Sequence, residues 1–296
     1  MGISKVNDRV VGSSNLPSPN FFSFRFADIF KATRFLLLQN RMSRFSFFID
    51  AFSLLVKNPK LFLPKFVIAV LYGFLLLESA QLSLVIVPSA LSAQGLAPEV
   101  AAALLGRALV LFVASLVVLI LDIWVSSWYP VLVSDFHSSH SVSFSNAVSV
   151  SRRRFSVVFP LLLGLELLVS VLFSLISTTT LIAFREWFWV VMAVVLGMVL
   201  VFYAMLYPLV SVSMLEPRAR VDSLRRSLQL SFLNWRIFSP AAAFSFLVSS
   251  VNFALAFLAQ ESAFFVLFWG LRIVVAVLAT YNAVVNPSAY LAAVHQ

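Results

Sequence analysis

The chain of 296 residues is dominated by apolar side chains, which excludes an ordinary water-soluble fold. Hydrophobic residues make up 61% of the sequence and charged residues 11%, against roughly 25% charged residues in a soluble domain. The 21 Lys and Arg residues outnumber the 12 Asp and Glu residues, which gives a net charge of +9. An aqueous core cannot bury this much apolar surface, so we predict an all-α, polytopic membrane protein.

Six apolar stretches follow a basic N-terminal segment. Residues 1–44 are rich in Arg, Lys and Phe, so we expect a partly disordered cytoplasmic segment and no cleaved signal peptide. A helix needs about 20 mostly apolar residues to cross a bilayer. Six stretches qualify as transmembrane helices: 66–87, 99–130, 157–183, 188–215, 240–259 and 262–287. A short tail, residues 291–296, completes the chain.

The cations lie in alternate loops and so predict the orientation of the chain. Eighteen of the 21 Lys and Arg residues lie before residue 66 or in the loops after the second and fourth apolar stretches. The positive-inside rule then places both termini in the cytoplasm of a multi-pass protein of the cell membrane. We expect anionic lipid headgroups as partners and no nucleic acid, because no basic domain remains outside the membrane. The predicted headgroup contacts are Arg152, Arg153, Arg154, Arg225 and Arg226.

A short phrase recurs at the entrance to the apolar stretches. "KNPKLFLP" (57–64) and "LNWRIFSP" (233–240) share an Asn, a basic residue and a Pro, and "RFSVVFP" (154–160) occupies the same place before the third stretch. Pro is tolerated in the first turn of a helix, so we predict that each phrase turns the chain from an interfacial helix into the membrane. The alternative is chance similarity among apolar sequences.

This pattern divides the membrane domain, residues 45–290, into three pseudo-repeated units of an interfacial amphipathic helix and a helical hairpin. The units cover about residues 45–134, 143–213 and 221–290. The predicted apolar stripes of the interfacial helices are Phe45, Phe48, Phe52 and Leu55, then Phe144, Ala147, Val148 and Phe155, then Val221, Leu224, Leu228, Phe232 and Trp235. Ser143 is predicted to cap the middle helix.

The amphipathic segment, the "NPKLFLP" phrase and the tripled layout resemble the uncharacterised six-helix membrane protein families related to the membrane domain of glycerophosphoryl diester phosphodiesterases. The likeness covers about residues 45–290. In some relatives a soluble phosphodiesterase domain follows the membrane part. We expect none here, because the sequence ends at Gln296, and so we do not expect that domain's metal-binding carboxylates. The resemblance implies an architecture and no activity.

The sequence offers little for catalysis. It holds no cysteine, which excludes disulfides and thiolate chemistry. The histidines, His137, His140 and His295, lie in predicted loop or tail, where a solvated polar role is more common than a metal site. No histidine inside an apolar stretch can activate a serine. We therefore predict no enzyme, no metal and no other cofactor.

Five charged residues lie within the apolar stretches, where a charge is costly and often functional. They are Glu78, Arg107, Asp122, Glu166 and Arg272. Counting ~1.5 Å per residue from the cytoplasmic proline of each helix puts Glu78 and Arg272 at a similar height, which predicts a buried ion pair. Asp122 and Glu166 share the inner half of the membrane without an obvious basic partner.

The two acids lie on polar seams at helical spacing. The seams are Ser115, Asp122, Ser126 and Tyr129, then Glu166, Ser170, Ser174 and Ser177, then Ser245, Ser249, Asn252 and Ala256. Helix packing explains the serines, and a hydrated pathway explains an acid pair better, so both interpretations stay open. We take Asp122, Glu166, Ser126 and Ser170 as the candidate site, where two carboxylates would share a proton or hold a cation.

Two functions follow from these observations. The first is a non-catalytic scaffold or lipid-interacting membrane component that acts through its amphipathic helices. The alternative is a transporter or permease-like protein that moves a proton, a cation or a small solute along a polar seam. An intramembrane enzyme is a distant third, because no nucleophile and base stand together in the sequence. Solute flux across liposomes distinguishes the first two.

Overall fold

The computed structural model describes residues 46–91, 98–183, 186, 188–259 and 265–295. Within α-helices, the side chains of residues 87–91, 169–183, 188–189, 253–254 and 256–257 are not described. The predicted N-terminal segment 1–44 therefore lies outside the described residues, as does Phe45. Every regular element of the described part is helical, which confirms the all-α prediction.

Ten α-helices make up the described part of the chain. In chain order they are α1 (Ser46–Lys57), α2 (Phe62–Leu91), α3 (Pro98–Ser126), α4 (Trp128–Ser139), α5 (Phe144–Ala183), α6 (Phe188–Leu206), α7 (Leu209–Leu215), α8 (Arg220–Leu233), α9 (Trp235–Leu258) and α10 (Phe265–Val294). A 3₁₀ turn, Pro59–Leu61, joins α1 to α2.

Four segments of the described chain are long and apolar enough to cross a membrane. They are Pro59–Ile86, Pro98–Ser139, Val190–Leu215 and Phe265–Val294, and they contain most of the first, second, fourth and sixth predicted stretches. Large apolar side chains on α3 face outward, with Leu105 73% and Val110 69% exposed, as expected of a surface in contact with lipid. The predicted third and fifth stretches lie in α5 and α9, whose side chains are described only in part.

Helix α10 lies at the centre of the bundle. It packs against α1, α2, α4 and α9, and its second half carries fully buried small and β-branched residues such as Val284, Val285 and Ala289. These residues join Phe238 of α9 and Tyr129 of α4 in the main apolar core. The Tyr129 hydroxyl donates a hydrogen bond of 2.8 Å to the carbonyl oxygen of Leu61. This contact ties the second predicted span to the entrance of the first.

The recurring phrase breaks the helix at its Asn and not at its Pro. The Asn58 N–H closes α1 on the Leu54 carbonyl, and the Asn58 carbonyl accepts the first hydrogen bond of the following turn. Asn234 does the same between α8 and α9, so Pro240 lies inside α9. The middle phrase has Arg154 at this position, and α5 runs through Pro160 without a break. The prediction that each Pro marks the corner is therefore wrong for Pro160 and Pro240.

The first amphipathic helix has two apolar faces instead of one. Phe47, Ala51 and Leu54 are buried in the bundle, while Phe52 and Val56 are 62% and 64% exposed. The predicted stripe mixed these faces, since Phe52 is exposed and Leu55 is buried. A helix with a protein-facing and an outward apolar side is typical of a membrane protein.

The predicted middle amphipathic helix is not a separate element but the first part of α5, whereas the third corresponds to α8. On α8 the predicted stripe faces outward, with Val221 76% and Phe232 66% exposed, and Ser223 and Ser227 are buried on the other side. At the start of α5 the Ser143 hydroxyl accepts the N–H of Asn146 at 3.2 Å, which is the predicted N-cap.

Candidate functional site

A polar cavity of about 290 Å³ lies between α2, α3, α6, α9 and α10. Its polar lining consists of three charged residues, three amides and six hydroxyl residues: Lys65, Asp122 and Arg272; Asn252, Asn282 and Asn286; Tyr72, Ser126, Tyr203, Tyr207, Ser245 and Ser249. Such a lining is unusual in the interior of an apolar bundle, where polar groups are costly unless they have a role. We therefore treat this cavity, the central cavity, as the candidate functional site.

Helix α10 contributes one continuous face to the central cavity. Arg272, Val275, Ala279, Asn282 and Asn286 line it at intervals of three and four residues. This spacing places all five on one side of an α-helix. Sequence analysis missed Asn282 and Asn286, although two Asn residues one helical turn apart in an apolar stretch are a signal that could have revealed them.

Asp122, one of the predicted site residues, lines the central cavity and has a basic partner. The Lys65 Nζ lies 2.5 Å from the Asp122 Oδ1 and donates a second hydrogen bond of 2.7 Å to the Ser126 hydroxyl. The Lys65 side chain is only 11% exposed. Lys65 stands in the first turn of α2, and its long flexible stem lets the ammonium reach α3. In the sequence, Lys65 was counted among the cytoplasmic cations. The expectation that Asp122 has no basic partner is therefore wrong.

Glu166 does not join Asp122 in a compact site. Glu166 is exposed on α5 and lies outside the lining of the central cavity. Among the described residues no hydrogen bond or ion pair connects Glu166 to another group, although the charge of Asp122 acts on it from a distance. A shared proton requires direct hydrogen bonding, so the predicted carboxylate pair is not formed. The side chain of Ser170 lies outside the described residues.

The prediction of an ion pair between Glu78 and Arg272 is wrong. Glu78 instead pairs with Arg107 of α3 at 3.0 Å, and both side chains are about half exposed. Arg272 donates from Nε to the backbone carbonyl of Ala69 at 2.9 Å. Glu78 follows Ala69 by nine residues, which at ~100° per residue puts it on the opposite side of α2. Height along the helix was a poor guide, because it says nothing about which face meets which.

A hydrogen-bond network orders the part of the cavity wall between α6, α9 and α10. The Ser245 hydroxyl bonds to the Tyr203 hydroxyl at 2.9 Å and accepts from the Asn282 amide at 2.8 Å. The Asn286 amide donates to the backbone carbonyl of Tyr207 at 2.6 Å. These bonds fix the amide orientations, so this part of the wall is arranged before any ligand binds. Ser245, Ser249 and Asn252 of the predicted fifth seam all belong to the lining.

The five predicted headgroup arginines divide into two groups. Arg154 donates to the backbone carbonyls of Ser213, at 3.3 Å, and Glu216, and the Arg226 Nε lies 3.4 Å from the Glu216 carboxylate. The hydroxyl of Tyr290 donates to the same carboxylate at 2.9 Å. These two arginines therefore contact protein groups around Glu216. The remaining three are exposed: Arg152, Arg153 and Arg225.

The central cavity carries groups that can hold a polar ligand. Its amides and hydroxyls both donate and accept hydrogen bonds, and its charged residues are held by neighbouring helices. No family model, curated protein or solved structure matches this chain. The resemblance to the membrane domain of the phosphodiesterases stays a prediction.

Proposed function

We propose that this chain binds a small polar solute in the central cavity and passes it across the bilayer, as a permease does. The observation that carries the proposal is the polar face of α10. From Arg272 to Asn286 this face spans fourteen residues, or ~21 Å at ~1.5 Å per residue. The hydrocarbon core of a bilayer is roughly 30 Å thick, so the polar lining extends along most of the path that a solute must take.

Packing alone does not account for the central cavity. Small polar residues at a helix interface bring backbones together and bond across the contact, as Ser211 does with Asn286 at 2.7 Å. Around the cavity, by contrast, polar groups leave about 290 Å³ unfilled. Ligand sites in proteins begin at roughly 300 Å³, which is close to the volume of this cavity. A polar cavity of this size has room for water or a small solute.

The Lys65–Asp122 pair favours a polar solute over a proton or a cation. Asp122 is the one acid in the described lining, and its carboxylate is already neutralised by the ammonium 2.5 Å away. A cation at this carboxylate would first have to displace the lysine. The described lining of the cavity therefore offers no unpaired negative charge to bind a cation.

The proposal includes the finer architecture: six spans in three related units, with both termini in the cytoplasm of the cell membrane. The matching hydrogen bonds of Asn58 and Asn234 support a relation between the first and third units. The helical backbone of α5 and α9 supports the third and fifth spans. Kinship with the membrane domain of the phosphodiesterases belongs to the same proposal and rests on the motifs quoted above.

A second role, lipid interaction, is supported by α8. The outward side chains of Val221 and Phe232, and of Trp235 at the start of α9, are not covered by the bundle, and Arg225 is exposed on α8. Apolar groups inserted beside basic ones are typical of helices that lie on an anionic membrane surface. We propose that α8 rests on the inner leaflet and that Arg152, Arg153 and Arg225 contact its headgroups.

Blocking the central cavity tests the permease proposal. Ala279→Phe fills the lining of α10, and Ala103→Phe makes the same change on the exposed surface of α3 as a matched control. Purified protein is heated with a panel of amino acids, sugars and small organic acids. We expect at least one solute to stabilise wild type and Ala103→Phe but not Ala279→Phe. A solute at 100 times its Kd adds about 2.7 kcal/mol.

The solute found in this way is then followed into proteoliposomes. Uptake should be faster with wild type than with Ala279→Phe and should be unchanged by Ala103→Phe. Equal uptake with all three proteins would reject passage through the cavity. If no solute in the panel stabilises wild type more than Ala279→Phe, the binding site itself is rejected.

A further inference from the structure

Arg272 is a buried cation that no carboxylate neutralises within the described residues. Only 2% of the residue is exposed. Its Nε donates to the carbonyl of Ala69 and its Nη1 to the side-chain oxygen of Asn252. Both acceptors are neutral, so the hydrogen bonds hold the guanidinium in place and leave its charge uncompensated.

The other charges of the central cavity cancel one another. Lys65 and Asp122 form a close pair, and Glu78 lies on the far side of α2 with its own arginine. Two cations against one anion therefore line the cavity in the described structure, which leaves a charge of +1. A buried unpaired charge is strongly unfavourable, and such charges inside membranes mark sites where a counter-charge arrives.

The surroundings of Arg272 suit an oxyanion. A guanidinium has five N–H donors, and two of them are used by Ala69 and Asn252. Tyr72 follows Ala69 by three residues on the same face of α2 and lines the cavity together with Arg272. The remaining N–H groups and the Tyr72 hydroxyl are donors for two or more oxygens of one anionic group.

We propose that Arg272 binds the carboxylate or phosphate group of the ligand, so that the solute of the central cavity is a small organic or phosphorylated anion. This inference rests on the proposed function and adds the class of substrate to it. The same oxyanion chemistry occurs in soluble anions and in the headgroups of anionic lipids, so the test separates the two sources.

Matched probes test the charge requirement. Full-length protein in phosphatidylcholine nanodiscs is heated with acetate, with inorganic phosphate and with acetamide, the neutral counterpart of acetate, at constant ionic strength. The variants are Arg272→Gln, Arg272→Lys and Arg107→Gln, which removes an exposed arginine as a charge control. A second arm replaces part of the phosphatidylcholine with phosphatidylglycerol and adds no soluble anion.

We expect acetate or phosphate to stabilise wild type and Arg107→Gln, with no effect of acetamide. Arg272→Gln should lose the effect, and Arg272→Lys should bind about tenfold more weakly or worse, because lysine cannot form the forked contact. An effect that depends on Arg272 only in the phosphatidylglycerol arm identifies the anion as a lipid headgroup. Arg272→Lys keeps the charge and serves as the test if Arg272→Gln does not fold.

The proposal is overturned if Arg272→Gln and Arg272→Lys respond to every probe as wild type does, or if acetamide acts as well as acetate. The permease proposal has a separate outcome. A neutral solute that stabilises wild type and not Ala279→Phe, with no anion effect that depends on Arg272, would leave solute binding intact and reject the anionic substrate alone.

Discussion

Lys65 and Asp122 form a short ion pair in a largely buried setting, so each depends on the other. Asp122→Asn leaves an ammonium, 11% exposed in wild type, without its counter-charge. We expect a loss of up to about 3–5 kcal/mol, as for other broken buried pairs. The double variant Lys65→Met/Asp122→Asn should recover part of this loss. Chemical unfolding in detergent of the two single variants and the double variant measures the coupling.

The exposed pair Glu78–Arg107 provides the control for this experiment. Both side chains are about half exposed, so Glu78→Gln should cost less than about 1 kcal/mol. Its effect should also add simply to that of Arg272→Gln, because Glu78 pairs with Arg107 and faces away from Arg272. Additive losses for Lys65→Met and Asp122→Asn would contradict a coupled pair in the cavity.

At the scale of helices, Gly73 allows α2 and α10 to approach closely. A Cβ at this position would lie 2.9 Å from the ring of Trp269, with Arg272 next to it. Gly73→Ala should therefore destabilise the protein by about 1–3 kcal/mol, the usual cost of overpacking. Gly270→Ala, on α10 with open space around it, is the matched control and should cost nothing. Equal thermal stability of the two variants would contradict the close contact.

Helix α8 should form on an anionic surface without the rest of the protein. A peptide of residues 220–235 is expected to gain helical circular dichroism on phosphatidylglycerol vesicles, helped by its arginines at about 1 kcal/mol each. Phe232→Ser should weaken binding more than Leu230→Ser, since Leu230 belongs to the buried face. A peptide that stays unfolded on these vesicles would argue against an interfacial helix. So would an equal loss of vesicle binding from Phe232→Ser and Leu230→Ser.

At the scale of the whole molecule, the proposed orientation is open to labelling, because the native chain has no cysteine. Ser138→Cys and Ala219→Cys place thiols at exposed positions of the predicted cytoplasmic loops, and Glu186→Cys places one in an opposite loop. An impermeant maleimide added to intact cells should label only Glu186→Cys. Labelling of Ser138→Cys before the cells are opened would reverse the proposed topology.

Sequence patterns predicted the helical class, four of the spans and the seam residues Asp122, Ser126, Ser245, Ser249 and Asn252. Periodicity and apolar length are local properties, so they can be read from the chain itself. The partners of Asp122 and Arg272 depend on how helices rotate against one another. This rotation cannot be deduced from the height of a residue along its helix or from composition. Lys65 reaches the cavity only because α2 packs against α3. The helix break at Asn58 follows asparagine chemistry, because its side-chain amide also donates to the carbonyl of Leu54 at 3.2 Å.

The unbroken helix α5 has a mechanical consequence. Its 40 residues form a rod ~60 Å long, well beyond the ~40–45 Å of a whole bilayer. Pro160 has no N–H to donate to the Ser156 carbonyl, so the helix bends most easily at this residue. Arg152 and Arg153 lie on the shorter arm and are exposed. Because α5 is continuous, we expect a displacement of these arginines to tilt the longer arm of the helix as well.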